Sequence, residues 1–453
     1  MSTRTRRITQ AAVTAAIVAA AAAWSFSDAF LTDALAGFRQ SSVGGVFIDA
    51  DGVLRDVKVD ENNVLLRLRA KQIEQLPKEL NVATPMRKVS LRRLQEEYAA
   101  RKEKAQMPLV TEEMAYLSGL TRVQYIFVYP EEKDIVLVGP AEPIKVSKTG
   151  HMVGAETGHP VLQLDHLLIA LRTSEKANRA PITCSIDPTR DGVAAFNRIM
   201  SQTKKFDRSL VRQLEQAMGL QDISITGVPA SSDFARRMVA ADYRMKRLAM
   251  GFEKSPVRGL PSYLSMIKSA SVATPRWWLA PNYDAMLRSP DGLAWELRGP
   301  GVKVMTEDTI FNDAGGAQRT GKANPQAQRW ADLMTKHYDE LSTHEPAFGH
   351  LRNVMDMAVV GALLARENLL TAAGIDMSVL MNDRQINSLD DFPVPKKVPT
   401  QVSWDKKGSR YVITASGGVE INSWKVAAKS EMTKTLVPIR QSASHTGSRW
   451  WWN

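Results

Sequence analysis

The run from Ser231 to Leu264, SSDFARRMVAADYRMKRLAMGFEKSPVRGLPSYL, constrains the fold more than any other stretch of the chain. Ser231, Ser232 and Asp233 supply an N-cap. Phe234, Met238, Ala241, Met245 and Leu248 then recur at steps of four and three, so all five share one helical face. Arg236, Tyr243, Arg244 and Arg247 fall mostly off that face, while Asp242 and Lys246 are spaced to pair along the flank. Gly251 suits the left-handed residue that follows a helix, and Pro256 and Pro261 bar its continuation.

The flanking texture supplies a sheet for this helix to cover. Residues 122–128, 134–138, 181–186 and 222–227 read as strands, and 161–172, 192–201 and 208–218 as helices. Upstream, Asp51-Gly52 between two β-like runs predicts a hairpin over 44–59, because glycine tolerates the positive φ of a tight turn. Residues 62–75, 89–104 and 111–120 read as helices. Downstream, 276–279, 294–297 and 302–305 read as strands, 325–341 and 351–371 as helices, and 386–400 as loop. Short strands follow at 401–404, 411–414 and 419–425. Strands interleaved with helices imply a mixed α/β (α+β) layered fold. The divisions are 1–36 as a signal segment, 37–110 as hairpin and helices, 111–270 as an α/β core, 271–400 as β then helical, and 401–453 as strands with a tryptophan-rich tail.

Arg4, Arg6 and Arg7 precede the uncharged, alanine-dominated run Ala11 to Trp24, the pattern of a secretory signal peptide. Ala34-Leu35-Ala36 fits a cleavage site, with Ser27 or Ala29 as alternatives. An uncleaved anchor is the other reading, although the run is short for a span. The expectation is therefore an extracytoplasmic protein, periplasmic or secreted, with no membrane span in the mature chain. The single cysteine, Cys184, excludes an intrachain disulfide and any multi-cysteine metal site, and its strand-like surroundings make it a core residue. The net charge is +11, and removing residues 1–36 takes away three arginines and two aspartates and lowers it by one. The charge is spread along the chain with no dense Lys/Arg block, so nothing points to nucleic acid.

Five stretches together resemble an exported family of uncharacterised proteins, a domain of unknown function found mainly in planctomycete bacteria. They are Gly44 to Leu54, Ala241 to Arg247, Val257 to Leu264, Pro275 to Trp278 and Leu351 to Val359. The resemblance implies an extracytoplasmic setting and carries no activity, so no catalytic residue comes from it.

Three constellations invite chemistry. Phe47-Ile48-Asp49-Ala50-Asp51-Gly52 is similar to the first motif of haloacid dehalogenase-type phosphatases, in which the first Asp is the nucleophile and the second the acid/base. Asp390-Asp391 could pose as the late acidic cluster but has no strand leading into it, and the hairpin explains Asp49 and Asp51 without catalysis. His344 and His350 are six apart with Pro346 and Gly349 between them, which is not the H-E-x-x-H spacing. Asp165-His166 and His159 could join a metal site only if the fold delivered them together. There is no G-x-S-x-G elbow and no phosphate-loop spacing, so no catalytic residue, metal or cofactor is assigned.

The aromatics remain. Trp277 and Trp278 alternate sides of a strand, one toward the core and one toward a groove or partner. Trp450, Trp451 and Trp452 follow Arg449 at the chain end and either dock on their own fold or contact another macromolecule. The candidate interaction residues are thus Arg236, Tyr243, Arg244, Arg247, Trp277, Trp278, Arg449, Trp450, Trp451 and Trp452. The functional expectation is a binding or structural module of the cell envelope that engages an anionic or protein component. An envelope hydrolase with an unrecognised site is the alternative.

Overall fold

The expected helix forms from Asp233 to Ala249 and organises the interior. The computed structural model describes residues 46–49, 51–56, 64–74, 76–203, 208–267, 274–312, 314–383, 386, 392–405, 410–412, 416–444 and 447–453. The N-terminal arginine–alanine segment and Asp390-Asp391 lie outside them. Ser232 caps the helix by accepting from the Ala235 N–H at 3.2 Å. At its far end the Gly251 N–H donates to Leu248 O and the Phe252 N–H to Arg247 O, with Gly251 at φ +72°. These two bonds make a Schellman motif, which glycine closes without strain.

The architecture is mixed α/β. One seven-stranded sheet runs, in spatial order, Ala317–Arg319, Gly301–Phe311, Thr274–Asn282, Ser416–Ile421, Ile182–Asp187, Leu220–Thr226 and Lys397–Pro399. Only the contact between Thr274–Asn282 and Ser416–Ile421 is parallel. It is close: a Cβ on Gly417 would lie 1.7 Å from Trp277 O, and one on Gly418 1.8 Å from Cys184 O. Two glycines are what let that strand pass between its neighbours. A second seven-stranded sheet runs Ser430–Met432, Met286–Arg288, Ala294–Glu296, Tyr125–Tyr129, Asp134–Ala141, Thr84–Ser90 and Trp451–Trp452. Both sheets draw their strands from segments far apart in sequence.

Helices fill the space beside the sheets, with Leu91–Glu103 packed on strand Asp134–Ala141 of the second. We label Leu91–Glu103 α1, Leu164–Arg179 α2, Asp233–Ala249 α3, Pro325–Lys336 α4, Tyr338–His344 α5 and Pro346–Arg366 α6. Helix α3 packs on strands Ile182–Asp187 and Ser416–Ile421 and against α2 and α6. Helix α6 begins with Pro346 at its first position, where the missing N–H costs nothing, and every residue from Pro346 to Leu364 is buried. It ends before Asn368, which adopts the left-handed region at φ 52°.

Several elements differ from the sequence reading. The helix expected over 89–104 forms as α1, but a strand without a counterpart in the sequence reading, Thr84–Ser90, runs into it, and Ser90 caps α1 by accepting from the Arg93 N–H at 3.1 Å. The helix expected over 325–341 divides into α4 and α5 at His337. The run expected as strand over 419–425 turns into a short helix at Ser423, and residues 397–399, expected as loop, form an edge strand. Asp242 and Lys246 do pair, at 3.0 Å, but not on a flank. Both are buried, and Lys246 Nζ also donates to Ile186 O at 2.8 Å. Helix α3 is buried nearly all round, so its polar positions also face protein. The hairpin forms as expected, with Val46 opposite Asp56 and Ile48 opposite Leu54. Cys184 is a buried core thiol, pushed well up by burial. Among the described residues no helix is long and apolar enough to cross a membrane.

Candidate functional site

The polar residues singled out on α3 are held by the protein itself. Arg236 is 1% exposed, and its guanidinium lies 4.2 Å from the centroid of the Phe392 ring. Burial lowers its pKa to about 10. Arg244 bridges two carboxylates, Glu253 at 2.6 Å and Glu345 at 2.8 Å. Arg247 pairs with Glu253, donates to Gln401 Oε1 at 2.9 Å and reaches the Tyr243 hydroxyl at 3.2 Å. Trp277 is the core member of its pair, wedged edge-on between Tyr263 and Trp330, while Trp278 is half-buried.

The tail docks on its own fold. Trp451 and Trp452 pair with Val89 and Lys88 as an edge strand, and Trp450 O accepts from the Ser90 N–H at 2.9 Å. Trp450 and Trp451 are buried; Trp452 is half-buried under the Arg93 guanidinium. Arg449 stays exposed, its guanidinium 3.9 Å above the Trp451 ring and 3.4 Å from Glu79.

That docking creates a surface feature. Between α1 and the chain end lies an open groove of about 520 Å³ lined by Arg93, Glu96, Glu97, Glu113, Arg449 and Trp450. Glu96 and Glu97 project from successive positions of α1 and are largely exposed. Glu113 is half-buried, and burial lifts its carboxyl although Arg449 opposes the shift. Three carboxylates and two guanidiniums therefore line one trough, with an indole among them. The sequence reading named Arg449 and Trp450 but none of the acids. Their approach to the tail is tertiary, set by the Trp451–Val89 pairing, and leaves no sequence signal.

A second centre lies inside. The first turns of α2 and α3 bring Asp165-His166 to Asp233, with His166 Nε2 donating to Asp233 Oδ2 at 3.0 Å and lying 3.7 Å from Asp165 Oδ2. Arg237, one turn along α3, donates from Nε to the same Asp233 oxygen at 2.7 Å. Burial would raise the Asp233 carboxyl, yet the Arg237 charge and the His166 hydrogen bond outweigh it and hold it well below the usual range. Asp165 shifts the other way, raised by burial and by the Asp233 charge. Close by in charge, His151 and His350 meet at 3.2 Å, both buried and both kept neutral by burial and by Arg237. The sequence reading named Asp165-His166 as a conditional pair. The fold delivers Asp233 to it, and sends His159 to Asp339 at 3.3 Å instead.

Asp49 occupies the hairpin turn. Its Oδ1 accepts from the N–H groups of Asp51 and Val53 and its Oδ2 from Arg55 Nε at 2.8 Å, and the Arg55 bond heads the contacts that lower its pKa. Both oxygens are used in shaping the turn, which accounts for the residue there.

No curated protein and no solved structure matches this chain. Residues 184–263, from the Cys184 strand through α3 to Tyr263, match the family model described as a protein of unknown function, DUF1598, a segment that includes Asp233 and Arg237 of the interior centre.

Proposed function

We propose that the chain is an exported, non-catalytic binding module of the cell envelope that engages a protein partner through the groove between α1 and the chain end. The carrying observation is the lining of that groove: Glu96, Glu97 and Glu113 share one open trough with Arg93 and Arg449. Charges of both signs in one open trough suit a protein surface, where each can meet an opposite. An anionic polymer would meet more carboxylates than guanidiniums here, so the protein partner is favoured over the anionic one. The N-terminal arginine head and alanine run support the extracytoplasmic setting.

The hydrolase alternative would have to run through His166, the histidine that lies between two carboxylates. That ring is 0% exposed, with Nε2 engaged by Asp233, which weighs toward a binding role.

The test uses washed envelope fragments and the purified chain in a salt series. Deleting Arg449–Asn453 would remove an edge strand, so charge reversal is the cleaner probe. Glu96→Lys with Glu97→Lys should cut retention at least tenfold with little change in thermal stability. Retention equal to the parent's would contradict the reading.

A further inference from the structure

We propose that Asp165, His166 and Asp233 form a binding site for a single divalent transition-metal ion of the zinc or cobalt class. Each residue offers one ligand atom, and those atoms all lie within 4.8 Å of one another. One imidazole with two carboxylates is a donor set for Zn²⁺, Co²⁺, Fe²⁺ or Mn²⁺ rather than for Ca²⁺ or Mg²⁺, which favour oxygen alone. The donors come from the first turns of two long helices packed against each other, so their spacing is set by the core and not by a loop.

A second observation is independent of the cluster. His166 is 0% exposed, and its Nδ1 has no hydrogen-bond partner among the described residues. The same holds for Nη1 of the buried Arg237, whose Nε shares Asp233 with that ring. Buried polar atoms without partners are few in folded proteins, and those on His166 and Arg237, the two side chains bonded to Asp233, call for an occupant. An ion on Nε2 with a water beside it meets the need, since that water can accept from Arg237 Nη1 or from the Nδ1 hydrogen.

The proton balance follows from the hydrogen bond already present. The neutral ring's one hydrogen moves from Nε2 to Nδ1 as the ion takes Nε2, so no proton leaves the ring. Arg237 opposes the cation because it shares Asp233 Oδ2, which sets the affinity below that of a site built from uncompensated carboxylates. Asp165 is the entry point, its side chain 16% exposed where those of His166 and Asp233 are 0% and 6%.

The experiment strips the full chain with a chelator and titrates it with Co²⁺, read by visible absorption, and with Zn²⁺, read by calorimetry. Saturation at one equivalent, displacement of Co²⁺ by Zn²⁺, and at least tenfold weaker binding in Asp165→Asn are expected. His166→Gln should abolish the cobalt spectrum, and because it could also disturb the core, the partly exposed Asp165→Asn decides where the two disagree. Absence of saturable one-equivalent binding overturns the proposal. So does saturable binding of unchanged affinity in a folded Asp165→Asn, which would place the ion elsewhere.

Discussion

Arg122 grips Asp356 with two parallel hydrogen bonds, Nε to Oδ2 at 3.0 Å and Nη2 to Oδ1 at 2.8 Å. The pair ties the segment leading into strand Tyr125–Tyr129 of the second sheet to the middle of α6. Tyr283 adds a third bond to Asp356 at 2.7 Å, and Arg122 Nη1 donates to Gly299 O at 3.0 Å. Such a bidentate pair fixes orientation as well as distance. Asp356→Asn leaves the Arg122 cation without its counter-charge beside a fully buried amide. We expect a loss of about 3–5 kcal/mol in urea unfolding. A loss below about 1 kcal/mol would show that the pair is not fastening the sheet to the helix.

The interior pair on α3 gives a pH signature. Burial raises Asp242 to about 6 although Lys246 pulls the other way. A carboxyl raised above its unfolded value of about 3.9 contributes stability that is full below that value and is lost as pH rises through about 6. Lys246→Met removes the attraction that favours the charged form, so beyond the pH-independent loss of the bond to Ile186 O its cost appears where Asp242 is ionised. The variant should fall about 3–5 kcal/mol below the parent at pH 8, with a gap that narrows at pH 5, and Asp242→Leu added to Lys246→Met should recover most of the loss. A gap that is constant or wider in acid would contradict this.

Met245 tests the packing of α3. It is 0% exposed on the apolar face, so Met245→Asp loses the ~2–5 kcal/mol of a deleted thioether and buries a carboxyl as well. Thermal stability equal to the parent's would refute the assignment of that face.

Gly417 tests the parallel contact in the first sheet. With a Cβ 1.7 Å from Trp277 O, Gly417→Ala has to displace a strand, and its cost should exceed the ~1–3 kcal/mol of ordinary overpacking. Gly292→Ala is the control: nothing lies within 4 Å of its Cβ, and only its positive φ is strained. Equal melting temperatures for the two variants would remove the close approach as the reason for glycine.

Local chemistry made part of this fold readable. The α3 face, its Ser232 cap and Gly251 stop, the Asp49–Val53 turn and the core position of Cys184 all depend on neighbours within a few residues. The strand at Thr84–Ser90 did not announce itself, because its sheet partners are Asp134–Ala141 and, from the far end of the chain, Trp451–Trp452. The same reason hid the sites. Amphipathic spacing assigned Arg236 and Arg247 to a free face, but α3 is enclosed by sheet on one side and by α2 and α6 on the others. Asp165-His166 was visible as a pair, whereas the approach of Asp233, sixty-seven residues on, is a property of helix packing alone.

The groove as a protein-binding face is the central claim, and site-specific photo-crosslinking in producing cells tests it most directly. A benzophenone side chain would be placed at Ser448, in the groove, at Glu97 on its α1 wall, and at Met432 as an exposed control 61% accessible on an edge strand. Discrete adducts of one mass from Ser448 and Glu97, lost in Arg449→Glu and absent from Met432, are predicted. Adducts from Met432 alone, or none from Ser448 and Glu97 while the chain is folded and abundant, would contradict the account.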